Sequence, residues 1–526
     1  MATKISRKQA KKGTDKKAST KKTRRTPRGA PGAQSKSAPG DELRIAITFP
    51  RPGGQAGPLH FGARMNPELV KEFIPEEHSV GKALEMLERA GFRVTLRGKV
   101  TASVRGSRRD FERTFGTKLT QFNLHEDFAR NCQARSFYFP GPDAQWNPDP
   151  EMMSLIDDAY IQWPHIYLNQ RFPVPPPSPI PPRVTYHHLQ VPGDVNLLLN
   201  VAKVHREGTT GDGIRVAMID SGFAHGHPYF QEMGYRTTTI LAPGATHVDR
   251  DGNGHGTGES ANLLAVAPNV TFVGIKLDNE INASLGASIL EGFQEAQLHN
   301  PQVISVSLGF DLCPTNPITG KRINNMHLTQ LPNGLVALEA EIEAAVAAGI
   351  VVVFSAGNGH VAFPGMMPDV VSAGGVFVDE DGSMNASNYA SAFDSKIYPG
   401  RHVPDLCGLV GEAANGASYI MLPVDPGCKL DGLNDGTASS DGWGVFSGTS
   451  AAAPQLAGAC ALLLEKDPNL TQNDIKSLLR TSARDVVLGF SNAASNENNG
   501  PMAAGAGQDG ATGAGFVDVF EAWKQI

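Results

Sequence analysis

Four short apolar runs constrain this chain most: residues 214–219, 270–275, 303–308 and 350–354. Each is nearly continuous in Val, Ile, Leu, Phe or Ala, as expected of strands buried on both faces of a parallel sheet. Helical stretches lie between them, at 283–299 and 335–348, and another, 195–204, leads in. This alternation specifies an α/β fold with a doubly wound, mainly parallel sheet. Sites in such sheets lie outside the carboxyl ends of the strands.

Several residues stand at those ends. Asp220 follows the run 214–219, where an aspartate either forms a turn or faces the ligand crevice. His255, between Gly254 and Gly256, opens a short helix toward Leu264; a lone histidine is more often structural than reactive. Asp249-Arg250-Asp251-Gly252-Asn253-Gly254 fits the start of a calcium loop. The twelfth position is Ser260 instead of a bidentate Glu and no helix precedes, so that reading fails. Asn358, in Ser355-Ala356-Gly357-Asn358-Gly359, is either a turn residue or an amide aimed at developing negative charge. Ser450 follows Gly448-Thr449 and precedes a buried apolar helix, 451–464. It is either the helix N-cap or a nucleophile beside unpaired amides.

Taken jointly, the four form a constellation. Asp220 would orient His255, His255 would deprotonate Ser450, and Asn358 with the Ser450 N–H would hold an oxyanion. The stretches around Asp220-Ser221-Gly222, Gly254-His255-Gly256-Thr257, Ser307-Leu308-Gly309, Ala356-Gly357-Asn358 and Gly448-Thr449-Ser450-Ala451-Ala452-Ala453-Pro454 resemble the motifs of subtilases, the subtilisin-like serine peptidases. The resemblance implies a serine endopeptidase acting through an acyl-enzyme. Ser307, Leu308, Gly309, Ala356 and Gly357 would line an extended cleft that pairs with substrate as an added strand. The chemistry implied needs no cofactor. Family members often bind structural calcium, but no ligand cluster in the sequence places one. Two features depart from the family: Gly258-Glu259 stands where a second histidine and small apolar residues are usual, and the helix after His255 is short.

The N-terminal part reads differently. Residues 42–122 follow the order β-α-β-β-α-β of an α+β, ferredoxin-like domain, with 118–122 as its last strand. Its wording, Gly91-Phe92-Arg93-Val94 through Phe115-Gly116-Thr117-Lys118-Leu119, resembles the activation pro-domain of sedolisin (kumamolisin-like) peptidases. The organisation expected is a tail at 1–41, a pro-domain at 42–135, a proline-rich linker at 136–190 and a peptidase domain at 191–526. A zymogen cut by itself between about residues 123 and 195 follows, with the pro-domain as an intramolecular partner.

Two rivals remain. A sedolisin-like acid peptidase would place Glu where His255 stands and Asp where Asn358 stands, so activity at neutral to alkaline pH is expected instead. A non-catalytic peptide-binding protein would be expected to lack a triad residue. Residues 1–40 of the tail carry thirteen Lys and Arg against Asp15, about +12, leaving about −18 for the rest of a chain of net charge −6. Nucleic acid or another acidic surface is one partner for it, and solubilising or self-docking roles are others. The five cysteines are scattered, no apolar run is long enough to span a membrane, and the first residues develop no apolar leader core. A cytoplasmic protein is the expectation.

Overall fold

The central sheet runs, in spatial order, Thr237–Leu241, Thr271–Lys276, Arg215–Asp220, Val303–Val306, Val351–Ser355 and Val371–Val378, all parallel. Leu406–Leu409 adds in parallel to Val371–Val378, Met384–Ala386 joins antiparallel, and Leu488–Gly489 closes that edge. The computed structural model describes residues 42–53, 57–58, 65–123, 136–140, 148–167, 187–313, 327–412, 419–431, 440–497 and 500–526. All belong to one compact unit, Pro39–Ile526. The basic tail, Cys132 and the proline-rich run 172–182 lie outside the described residues. Among the described residues Cys313, Cys407, Cys428 and Cys460 are free and buried, and no helix is long and apolar enough to cross a membrane.

Alternate residues of each central strand feed opposite cores, because successive side chains leave a strand on opposite faces. Val216, Met218, Val351 and Val353 pack with the helices His255–Val266 and Thr449–Lys466. Ala217, Ile219, Val352 and Phe354 pack with Ile289–Leu298 and Asn333–Ala347. Burial on both faces is what the continuous apolar runs required. From Arg215–Asp220 the chain goes outward to one edge, then resumes on the other side with Val303–Val306. Strand order therefore reverses beside Asp220, the place where such sheets form their crevice.

The N-terminal sheet is antiparallel, in the order Arg93–Arg97, Thr101–Ser107, Glu42–Thr48, Asp158–Ile161. Helices Glu77–Arg89 and Arg108–Phe115 cover one face, where Ile45, Ile47, Leu87, Val104 and Phe111 form a core. Ser107 caps the second helix by accepting from the Asp110 N–H, and Gly116 ends it in the left-handed region.

Three expectations need correction. The fourth strand is Asp158–Ile161, not 118–122; Leu119–Asn123 pairs instead with Ser136–Pro140. Only Leu119 of that strand is buried, whereas Asp158–Ile161 alternates and offers Ala159 and Ile161 to the core. Residues 136–140 and 158–161 are thus part of the N-terminal fold and not linker. The expected helix 195–204 is two, Gly193–Leu198 and Val201–Arg206, separated where Asn200 turns left-handed at φ 60°.

The other face of the N-terminal sheet lies on the helices Ile289–Leu298 and Asn333–Ala347 through buried polar contacts. The Glu341 carboxylate accepts from the N–H groups of Lys99, Val100 and Thr101 and from the Thr101 hydroxyl. Arg105, 3% exposed, pairs with the buried Glu291 at 3.2 Å and donates to the carbonyls of Pro243, Leu285 and Gly286. Each charge here is met by several partners, as burial demands.

Candidate active site

Ser450 is the second residue of the helix Thr449–Lys466 and is fully buried. It is not the N-cap; Gly448 is, at φ 102°, and a side chain there would meet the Asn358 amide at 2.8 Å. Both the backbone angle and the close approach call for glycine. The Ser450 amide is one of the first in its helix, which have no intrahelical carbonyl to meet. Pro454, four residues on, has no N–H to give the Ser450 carbonyl. That carbonyl accepts from the Ser307 hydroxyl at 2.9 Å instead, and the Ser450 hydroxyl donates to the Ser307 carbonyl at 3.3 Å.

Asp220 ends its strand with no exposure, and its Oδ1 lies 2.7 Å from His255 Nδ1. His255 is the first residue of its helix, which approaches so closely that a side chain at Gly256 would strike the Gly222 carbonyl at 2.4 Å. Asp251 fixes that helix end. Its carboxylate accepts from the N–H groups of Gly254 and Thr257 and from the hydroxyls of Thr257 and Ser221. Burial opposes charging the imidazole, but the Asp220 carboxylate, with Glu259 and Asp251 beyond it, prevails and raises His255 to about 9. In the parallel register Val306 lies beside Ile219. Asp220 and Ser307 therefore leave neighbouring strand ends, each carrying one of the two pairs.

Asn358 follows the strand Val351–Ser355, next in the sheet. Its Oδ1 accepts from the Thr449 N–H at 2.8 Å and from the Thr449 hydroxyl at 3.1 Å. The backbone N–H can only donate, which fixes which end of the amide is oxygen and which is the NH₂ group. The Gly357 N–H donates to Thr449 Oγ1 and its carbonyl accepts from the Ser391 N–H. The Ala356 N–H goes to the Ala373 carbonyl. Gly357 therefore has both backbone groups engaged inside the protein.

Ser307, Leu308 and Gly309 do not continue the central strand as the run 303–308 suggested. The central strand ends at Val306, before Ser307, and Leu308–Asp311 leaves the sheet to pair antiparallel with Ala362–Phe363 on one side and Ile166–Tyr167 on the other. A segment from beyond the N-terminal sheet thus lies along Leu308 and Gly309.

Sequence reasoning missed the part that two residues play in the site. Asp251 enters it only as a rejected calcium ligand, although an aspartate shortly before a helix start is also a capping signal. Glu259, noted as a departure, is fully buried with Oε1 4.0 Å from His255 Nε2. Its spacing of four residues from His255 was the available signal. Among the described residues no group of three or more His, Cys, Asp or Glu is arranged to hold a metal ion. Calcium therefore has no site assigned.

Comparison with known proteins covers the same part of the chain. The profile described as the Subtilase family matches residues 211–515, more than half of the chain. Subtilisin E of Bacillus subtilis (strain 168) is 27% identical over 296 residues, which cover 53% of this chain and 63% of that protein. Subtilisin DY of Bacillus licheniformis is 28% identical over 303 residues, 56% of this chain and 92% of that protein. Among solved structures, fervidolysin from Fervidobacterium pennivorans, titled a keratinolytic enzyme related to subtilisin, aligns with a TM-score of 0.54. It is 16% identical, covering 93% of this chain and 62% of that one, and supports the fold. The chain spans less than two thirds of the length of subtilisin E and of fervidolysin.

Proposed function

The chain belongs to the subtilase family, and from that premise we propose that it is a serine endopeptidase hydrolysing peptide bonds through an acyl-enzyme. The observation that carries this reading is the buried 2.7 Å contact between His255 Nδ1 and Asp220 Oδ1, at the strand end beside Ser307 and Ser450.

Asp220 accepts a hydrogen bond from Nδ1–H, so the neutral imidazole keeps its proton on Nδ1 and presents its Nε2 lone pair as a base. His255 takes the Ser450 proton as Oγ attacks the scissile carbonyl, and the carbonyl π electrons move onto its oxygen. The Ser450 N–H and the Asn358 amide NH₂ receive that oxyanion. Collapse returns the electrons, the C–N bond breaks, and imidazolium gives its proton to the leaving amine. Water then repeats the sequence on the ester and frees Ser450.

The N-terminal domain is proposed as an intramolecular inhibitor that the enzyme cuts away. Supporting this, Tyr167 lies opposite Leu308 and Ile166 opposite Gly309. Leu308 directly follows Ser307, whose carbonyl touches the Ser450 hydroxyl, so Tyr167 is held one residue from that contact. We therefore place self-cleavage immediately C-terminal to Tyr167. We also propose a cytoplasmic setting, which the four free cysteines support. Incubating the full chain beside Ser450→Ala and sequencing the fragments tests the peptidase reading. A new N-terminus just after Tyr167, absent in the variant, is expected; two intact chains, or identical cuts in both, would oppose it.

A further inference from the structure

Glu259 is a carboxyl group that the mechanism above leaves unused. It lies one helical turn after His255, with no exposure. Its Oε2 accepts from Asn262 Nδ2 at 2.9 Å, and Asn262 is tied in turn to Gln455 of the Ser450 helix at 3.3 Å. Its Oε1 has no hydrogen-bond partner and lies 4.0 Å from His255 Nε2. A buried carboxylate oxygen without a donor is costly, so its environment has to be explained. Among the described residues, the imidazole is the cationic partner that its surroundings provide. The elements packed on this helix bring Asp220 from the sheet, Cys460 from the Ser450 helix, Tyr419 from Tyr419–Pro423 and Asp194 from Gly193–Leu198. Asp251 adds its charge at the helix start. Of all these, only His255 and Asp220 act appreciably on Glu259.

We propose that Glu259 is a positioning residue for the reaction, a second carboxylate that holds the catalytic imidazole from its Nε2 side and shares one proton with it. The inference rests on the serine-peptidase reading for its consequence, not for its geometry. At lower pH His255 and Glu259 hold one proton between them. Either an imidazolium faces a carboxylate at Glu259, or a neutral imidazole faces a carboxylic acid there. Both forms release one proton to solvent before His255 can act as base. Once that proton has gone, the ionised Glu259 offers a counter-charge to the imidazolium that re-forms as Ser450 attacks. Burial pushes Glu259 up to about 8, Asp220 adds to that, and His255 and Asn262 oppose it, which is the behaviour of a group held close to the shared form.

The test uses the full chain carrying carbon-13-labelled histidine, with the His255 resonance assigned by His255→Gln, and compares wild type with Glu259→Gln. The His255 titration midpoint should be alkaline in wild type and should fall by about one pH unit or more in the variant. The pH dependence of fluorophosphonate labelling at Ser450 should shift in step, with a lower alkaline plateau in the variant. A merely structural Glu259 would leave both midpoints in place, and that result overturns the proposal. If Glu259→Gln does not fold, Glu259→Ala takes its place with the same two readouts, and an unchanged His255 midpoint overturns the proposal. Labelling in neither protein would count against the peptidase reading, while the titration would still report on the pair.

Discussion

Ser307 and Ser450 are joined by reciprocal hydrogen bonds, the Ser307 hydroxyl to the Ser450 carbonyl at 2.9 Å and the Ser450 hydroxyl to the Ser307 carbonyl at 3.3 Å. The first exists because Pro454 leaves the Ser450 carbonyl without its helical donor. Proline thus opens one place in the helix ladder, and a residue 143 positions away in sequence fills it. Ser307→Ala should leave a buried carbonyl unmet, at a cost of roughly 1–3 kcal/mol. Thermal denaturation in a Ser450→Ala background, where self-digestion is removed, would measure it.

Activity should rise with pH. His255 must be neutral to act as base, and it is raised to about 9. The rate of hydrolysis should therefore climb through neutral pH, reach half its maximum near that value and level off above it. The same shift stabilises the fold: its contribution is full below the ordinary imidazole value of about 6.5 and is lost as pH rises through about 9. Initial rates and denaturant midpoints across this window check both signs. An optimum near pH 4 would favour the acid-peptidase alternative.

Asn358→Ala should lower kcat by about 10²–10³ with KM little changed, the magnitude that follows loss of an oxyanion donor in subtilisin. The substitution also removes the acceptor of the Thr449 N–H and hydroxyl. Thr449→Val, which removes only the hydroxyl, should have a much smaller effect. Steady-state kinetics on the two variants separates oxyanion stabilisation from support of the loop.

Arg105→Met should loosen the N-terminal sheet from the peptidase domain. Glu291 would stay buried without its cation, a loss of about 3–5 kcal/mol. Hydrogen exchange along Thr101–Ser107 should accelerate in the variant, and self-cleaved enzyme should show less residual inhibition. Unchanged exchange would mean that the carbonyl contacts of Arg105 are dispensable.

The central strands were legible in the sequence because burial on both faces leaves an unbroken apolar run, as at Val351–Ser355. Thr237–Leu241 was not legible, because this edge strand is half exposed and half polar. Asp158–Ile161 escaped notice because it is only four residues long and joins Glu42–Thr48 from more than a hundred positions away. The reactive side chains stood out because glycines surround them where backbones approach closely, at Gly256 and Gly448. The Ser307 hydroxyl gave no such sign, since its partner is set by how the Ser450 helix meets the sheet. The departure at Glu259 was visible, but only the fold placed its carboxylate near Nε2.

The most direct test is covalent labelling. The full chain, after proteolytic removal of its N-terminal segment, is treated with a small fluorophosphonate and the adduct located by peptide mass spectrometry. One adduct on Ser450, absent in Ser450→Ala and greatly slowed in His255→Ala, is the predicted result. Properly folded protein with Ser450 unmodified, or modified equally fast without His255, would contradict the account.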